Sequence, residues 1–139
     1  MEEDLLPPHI RAKASVSADG EHAWRKEDIE SVTQAARTVG LALSSGQVQF
    51  QFPDGTCEAY WLRYLAEPRG PDEPWLTYVE RSAQEIRHQI NHLCATTDFV
   101  REAMERAFIR QKVQIDGINP LDYLWFVLYF EAAPSERPA

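Results

Sequence analysis

Hydrophobic and polar positions alternate most sharply between Gly46 and Leu65. Val48, Phe50 and Phe52 are separated by Gln47, Gln49 and Gln51, the period of two that belongs to a strand with one buried face. Pro53-Asp54-Gly55-Thr56 breaks the pattern. Asp-Gly at the centre of a two-residue connection suits a type I′ turn, which needs φ > 0 at both positions. The pattern therefore predicts a β-hairpin over residues 47–62. In that register Phe52 faces Cys57, Phe50 faces Ala59 and Val48 faces Trp61. Gln51 faces Glu58, Gln49 faces Tyr60, and Gln47 faces Leu62. One side then collects Val48, Phe50, Phe52, Cys57, Ala59 and Trp61. The other collects the three glutamines, Glu58, Tyr60 and Leu62. A lone hairpin is marginal in water, so other elements must cover its apolar side.

Helical spacing governs most of what surrounds the hairpin. Ile29, Val32, Ala36 and Val39 recur every three or four residues, which predicts a helix over Arg25–Val39 stopped by Gly40. Trp75, Val79, Ala83, Ile86, Ile90 and Leu93 form one stripe, predicting a second helix capped by Asp72, with Pro74 in its first turn, that runs to about Cys94. Thr97 or Asp98 caps a third, with Phe99, Val100, Ala103, Met104, Ala107 and Phe108 as its apolar positions. The short break at Thr96-Thr97 predicts an antiparallel pairing of the second and third helices. Asn119-Pro120-Leu121-Asp122 has the form of a helix start. The run that follows, Leu124 to Phe130, is apolar on every side. It fits either a buried helix or a central strand, and the start signal favours helix over 121–131.

Weaker patterns fill the remainder. Residues 10–16 alternate faintly, as in a strand closed by a turn at Ala18-Asp19-Gly20, and Leu41–Leu43 fits a short strand. Residues 1–8 and 132–139 read as loose ends, and 66–74, rich in Pro, as an internal linker. The sum is a single α+β domain over 1–139. Its small antiparallel sheet is built on the 47–62 hairpin and packs against about four helices.

Charge narrows the function classes. With 14 Lys and Arg against 22 Asp and Glu, the net charge is −8. That disfavours nucleic acid and anionic membranes as partners and suits a basic protein. The longest apolar run, Tyr123 to Phe130, is far short of the ~20 residues a membrane helix needs. The acidic start lacks the character of a signal peptide. Cys57 and Cys94 stand far apart without a CxxC motif and read as small buried residues in a reducing compartment, although a disulfide between them stays open. A soluble cytoplasmic protein is expected.

No catalytic constellation assembles from the sequence. The best metal candidate is Glu85, His88 and His92, which share one helix face. Two imidazoles one turn apart can share a zinc or iron ion. That face lies roughly 140° from the apolar stripe, at ~100° per residue, so it points to solvent, and no second carboxylate–histidine element supports it. No Gly-rich phosphate loop, GxSxG or Cys–His pair is present, and no cofactor is expected. The basic positions Arg101, Arg106, Arg110 and Lys112 read as a solvated helix face. A ligand pocket lined by Trp61, Trp75 and Trp125 is a third possibility.

In size, acidity and lack of catalytic motifs the chain resembles small bacterial immunity or antidote proteins, a likeness of composition that carries no residue roles. The expectation is a non-catalytic protein-binding domain. Its partner face is the polar side of the hairpin, Gln49, Gln51, Glu58 and Tyr60. The alternative is a metal-binding protein or metal-dependent enzyme using Glu85, His88 and His92.

Overall fold

The hairpin forms, and it anchors a larger sheet. A computed structural model describes residues 2–134. Its strands are β1 (Ser15–Val16), β2 (His22–Trp24), β3 (Ala42–Phe52), β4 (Gly55–Leu65) and β5 (Leu124–Glu131). They lie in the order β1-β2-β5-β3-β4, with every neighbouring pair antiparallel. The helices are α1 (Pro8–Arg11), α2 (Ile29–Val39), α3 (Trp75–Thr96), α4 (Phe99–Met104) and α5 (Ala107–Asp116), with 3-10 turns at Glu2–Leu5, Lys26–Asp28 and Pro120–Tyr123. This is an α+β fold. No helix among the described residues is long and apolar enough to cross a membrane.

The hairpin turn differs from expectation. Phe52 pairs with Gly55, so Pro53 and Asp54 are the central residues, and neither has a positive φ. Proline cannot supply the positive φ of a type I′ turn, whereas Pro at the second position and Gly at the fourth are what a type I turn favours. Lys112 of α5 pins the turn through Asp54 at 2.5 Å. The register therefore moves by two: Phe50 faces Cys57, Gln49 faces Glu58 and Val48 faces Ala59. A shift of two keeps every side chain on its expected side.

Two bulges change the faces further along. Val48 pairs with Ala59 but Gln47 pairs with Arg63, which leaves Tyr60, Trp61 and Leu62 without partners. Three extra residues invert the alternation of β4. Leu62, expected on the polar side, is buried, whereas Trp61 is 41% exposed at the rim, donating to Glu102 of α4. In β3, Leu43 faces Phe130 and Ser45 faces Tyr129, so Ser44 is the extra residue. That bulge lets Leu41 and Leu43 reach the same core as Val48, Phe50 and Phe52.

Residues 124–131 form the central strand, not a helix. Leu124, Phe126, Leu128 and Phe130 turn to the helices, and Trp125, Val127 and Tyr129 to the opposite side. A strand flanked on both edges and covered on both faces reads as a continuous apolar run. The Asn-Pro start signal is real but belongs to the 3-10 turn, where Asn119 accepts a hydrogen bond from Leu121 N–H at 3.1 Å. β5 thus enters the middle of the sheet from beyond the 66–74 connector, between β2 and β3.

The helices cover one face of this sheet. Gly40 stops α2 in the left-handed conformation (φ 77°) as its position predicts, and Leu41 N–H returns to Ala36 O at 2.9 Å. α3 buries Tyr78, Val79, Ser82, Ala83, Ile86 and Ile90. It packs on α2 and β3 rather than pairing with the next helix. Ser82 accepts Leu43 N–H at 3.1 Å, beyond the point where β4 can pair with β3. The expected third helix is broken into α4 and α5 at Glu105-Arg106, and Phe99, Ala103 and Ile109 from the two pieces enter the core.

The chain ends and the connector are also placed. The turn at 2–5 and α1 put Leu6 and Ile10 in the core, so residues 10–16 are not one strand. Trp24 ties this segment down through its indole N–H to Ile10 O at 2.9 Å. The expected loose end at 132–139 falls largely outside the described residues. The 66–74 connector is held by Arg81, which binds Glu73 at 2.7 Å, Glu85 at 2.6 Å and the carbonyls of Glu67 and Pro68.

Candidate functional site

The face of the sheet away from the helices carries the polar residues. Gln47, Gln49, Gln51 and Glu58 stand on it together with Tyr129, whose side of β5 is opposite to Phe126 and Leu128. The sheet curls strongly around this face. β1 and β3 are separated by β2 and β5, about 14 Å if the sheet were flat. Yet Ser15 Oγ donates directly to Gln51 Oε1 at 2.5 Å. The β1–β2 hairpin thus leans over the β3–β4 hairpin. The turn between β1 and β2 is the predicted one, with Gly20 at φ 84° and Gly20 N–H bonded to Ser17 O at 3.0 Å.

A cleft of about 510 Å³ lies between the two hairpins, lined by residues that include Ser15, Ser17, Asp19, Glu21, Gln49, Gln51, Thr56 and Glu58. Its lining holds three carboxylates and no basic side chain. The hydrogen bonds run towards those carboxylates. Ser15 donates to Gln51, Gln51 to Gln49 at 2.9 Å, and Gln49 to Glu58 at 3.0 Å. Tyr60 O–H donates to the other oxygen of Glu58. On the facing wall Tyr129 O–H donates to Glu21, and Gln47 donates to Tyr129 Oη at 3.1 Å. These donors fix the carboxylates of Glu21 and Glu58 in place.

These contacts hold the phenols protonated. Burial, then the hydrogen bond to Glu21, pushes the Tyr129 phenol up to about 12. The hydrogen bond to Glu58 raises that of Tyr60. Both tyrosines therefore remain donors throughout the ordinary pH range.

The four residues predicted as a partner face are consecutive links of this network. Their exposures differ, however: Gln49 is only 2% exposed and Tyr60 is 60% exposed. Gln49 shapes the floor and Tyr60 forms an outer lip. Sequence reasoning missed Asp19, Glu21 and Tyr129. Their elements are remote in sequence and only the pairing of β2 with β5 brings them near the hairpin. The alternation within Leu124–Phe130 held the one available signal for Tyr129.

The other candidates do not assemble. Glu85 is engaged by Arg81 and by Glu67 N–H at 2.9 Å, while His88 and His92 are exposed. Among the described residues no group of three or more His, Cys, Asp or Glu side chains is disposed to hold a metal ion. The three tryptophans sit apart. Trp61 is at the α4 rim, Trp75 bonds Gly40 O at 2.8 Å, and Trp125 lies under Arg25 on the open face at 4.2 Å. Cys57 and Cys94 are both free, and burial raises both thiols. Set against known protein families, curated proteins and solved structures, the chain matches none.

Proposed function

We propose that this chain is a non-catalytic protein-binding domain that receives a positively charged segment of its partner on the open face of its sheet. One observation carries the reading: the cleft between the two hairpins is lined by three carboxylates without a basic side chain. Complementary charge steers encounter and selects partners, and the chain's net charge of −8 reinforces the local field. The tyrosine lip suits a protein partner, because Tyr offers large contact area at small entropic cost. An immunity or antidote role is the specific form that the composition suggests. Free Cys57 and Cys94 suit a reducing cytoplasm.

Calorimetric titration with a capped tetralysine peptide at low and high salt tests this. Two variants of equal net charge are compared, Glu21→Gln/Glu58→Gln in the cleft and Glu27→Gln/Glu105→Gln elsewhere. The cleft variant is expected to bind about ten-fold more weakly, roughly 0.7 kcal/mol per carboxylate. The control should retain most of the affinity. Equal losses in the two variants, or no binding to the unaltered protein, would overturn the reading.

A further inference from the structure

The open face also has a basic corner. Arg63 is exposed, and among the described residues no side-chain partner engages its guanidinium. It lines a second hollow of about 350 Å³ together with Ser45, Gln47, Tyr60 and Leu65. Tyr60 closes on Glu58, so the two hollows meet at that contact.

The bulge in β4 is what puts Arg63 there. In an unbroken strand, positions 58 and 63 differ by an odd number and point to opposite sides. The unpaired residues Tyr60, Trp61 and Leu62 reverse that parity. Glu58 is opposed to Gln49 and Arg63 to Gln47, and directly opposed residues share a face. Gln47 and Gln49 are two residues apart on β3. Glu58 and Arg63 therefore stand on one side, offset by roughly 7 Å along the strand direction. This is also the spacing between same-side residues of an extended chain.

We infer that the open face reads an extended segment of the partner carrying a Lys or Arg and, two residues away, an Asp or Glu. The basic side chain enters the cleft of Glu21 and Glu58, and the acidic one meets Arg63. Tyr60 lies between them. The inference rests on the reading of this face as a receptor for a cationic segment, and it adds a spacing rule. A residue one position away from the basic one would project to the wrong side.

Capped pentapeptides supply the test. One set carries Lys and Asp two positions apart, in both chain directions. A second replaces Asp by Asn, and a third places Lys and Asp next to each other. Titrations followed by NMR should show that the two-apart peptide, in one direction, binds about three-fold more tightly than its Asn counterpart, as expected for a partly exposed ion pair. The gain should vanish in Arg63→Gln and in the adjacent-residue peptide. A thermal melt checks that Arg63→Gln keeps the fold. Equal affinity of the Asp and Asn peptides, or a gain that survives Arg63→Gln, overturns the spacing rule alone. Failure of the Lys–Asn peptide to bind the unaltered protein overturns both the rule and the receptor reading beneath it.

Discussion

Gly46→Ala is expected to be among the most damaging single-methyl additions in this protein. Gly46 lies on β3 opposite Tyr64, whose ring crosses it. An added Cβ would stand 1.9 Å from Val127 O and 2.3 Å from Tyr64 Cε2. The first obstacle is backbone of the central strand, and the second is a side chain only 1% exposed. Neither can yield cheaply. Tyr64 also donates its hydroxyl to Val127 O at 2.6 Å, with Gln47 O at 3.2 Å. Displacing the ring therefore costs a buried hydrogen bond as well as packing. Overpacking costs about 1–3 kcal/mol, and an unsatisfied buried group about 1–3 kcal/mol more. The sum, roughly 4 kcal/mol, is a large part of a typical domain's 5–15 kcal/mol. Urea unfolding followed by tryptophan fluorescence should show a midpoint lower by about 2 M, for an m-value near 2 kcal/mol/M. In a Tyr64→Ala background the ring obstacle is gone, so the further cost of Gly46→Ala should shrink by about 1 kcal/mol or more. A midpoint within about 0.3 M of the parent, on the same m-value, would refute this account of the β3–β4–β5 contact.

Other outcomes follow from the same geometry. Phe126→Ala should cost about 3–5 kcal/mol in urea unfolding, because the side chain is fully buried on the central strand; a cost under about 1 kcal/mol would contradict its place there. Arg81 holds the Glu73 carboxyl down to about 2 from its ordinary 4.5. The native state therefore favours the ionised carboxylate, and this stabilisation is complete above pH 4.5 and lost as pH falls towards 2. Thermal melts across that range should show a shallower pH dependence for Glu73→Gln than for the parent. At the alkaline end, the Tyr129 phenol is pushed up to about 12 from 10, so its contribution is full below pH 10 and disappears between 10 and 12. Tyr129→Phe should flatten the loss of stability over that window and remove one late step from the phenolate absorbance titration.

Much of the architecture was legible because local and global signals agreed. α2 announced itself by its apolar spacing and its stop at Gly40, and α3 by one long stripe. Near the turn, the polar side of the hairpin (Gln47, Gln49, Gln51, Glu58 and Tyr60) matches the expected one despite the wrong turn, whereas the β4 bulge sends Leu62 into the core and Trp61 to the rim. The error in register was two residues, and an even error preserves faces. What could not be read depended on distant partners. The run Leu124–Phe130 is apolar on both sides because the helices cover one face of β5 and the curl of the sheet shelters the other, where Val127 is also fully buried, and sequence alone shows apolarity but not its cause. The bulges at Ser44 and at Tyr60–Leu62 show only in the register of pairing with β5 and β3, and none of the unpaired residues is Gly or Pro. The break between α4 and α5 is equally silent, with Glu105-Arg106 at its centre. The cleft was half visible. Gln49, Gln51, Glu58 and Tyr60 lie on the hairpin itself, whereas Asp19, Glu21 and Tyr129 reach it only through the curl of the sheet.

The most direct measurement of the functional account is a map of where a basic peptide sits. Capped tetralysine is titrated into isotopically labelled protein, and backbone and side-chain amide shifts are followed at low salt. The account predicts that the largest changes fall on residues 15–21 and 56–60 and on the side-chain amides of Gln47, Gln49 and Gln51. Changes spread evenly over the acidic surface, or centred on the face of α3 that carries His88 and His92, would contradict it.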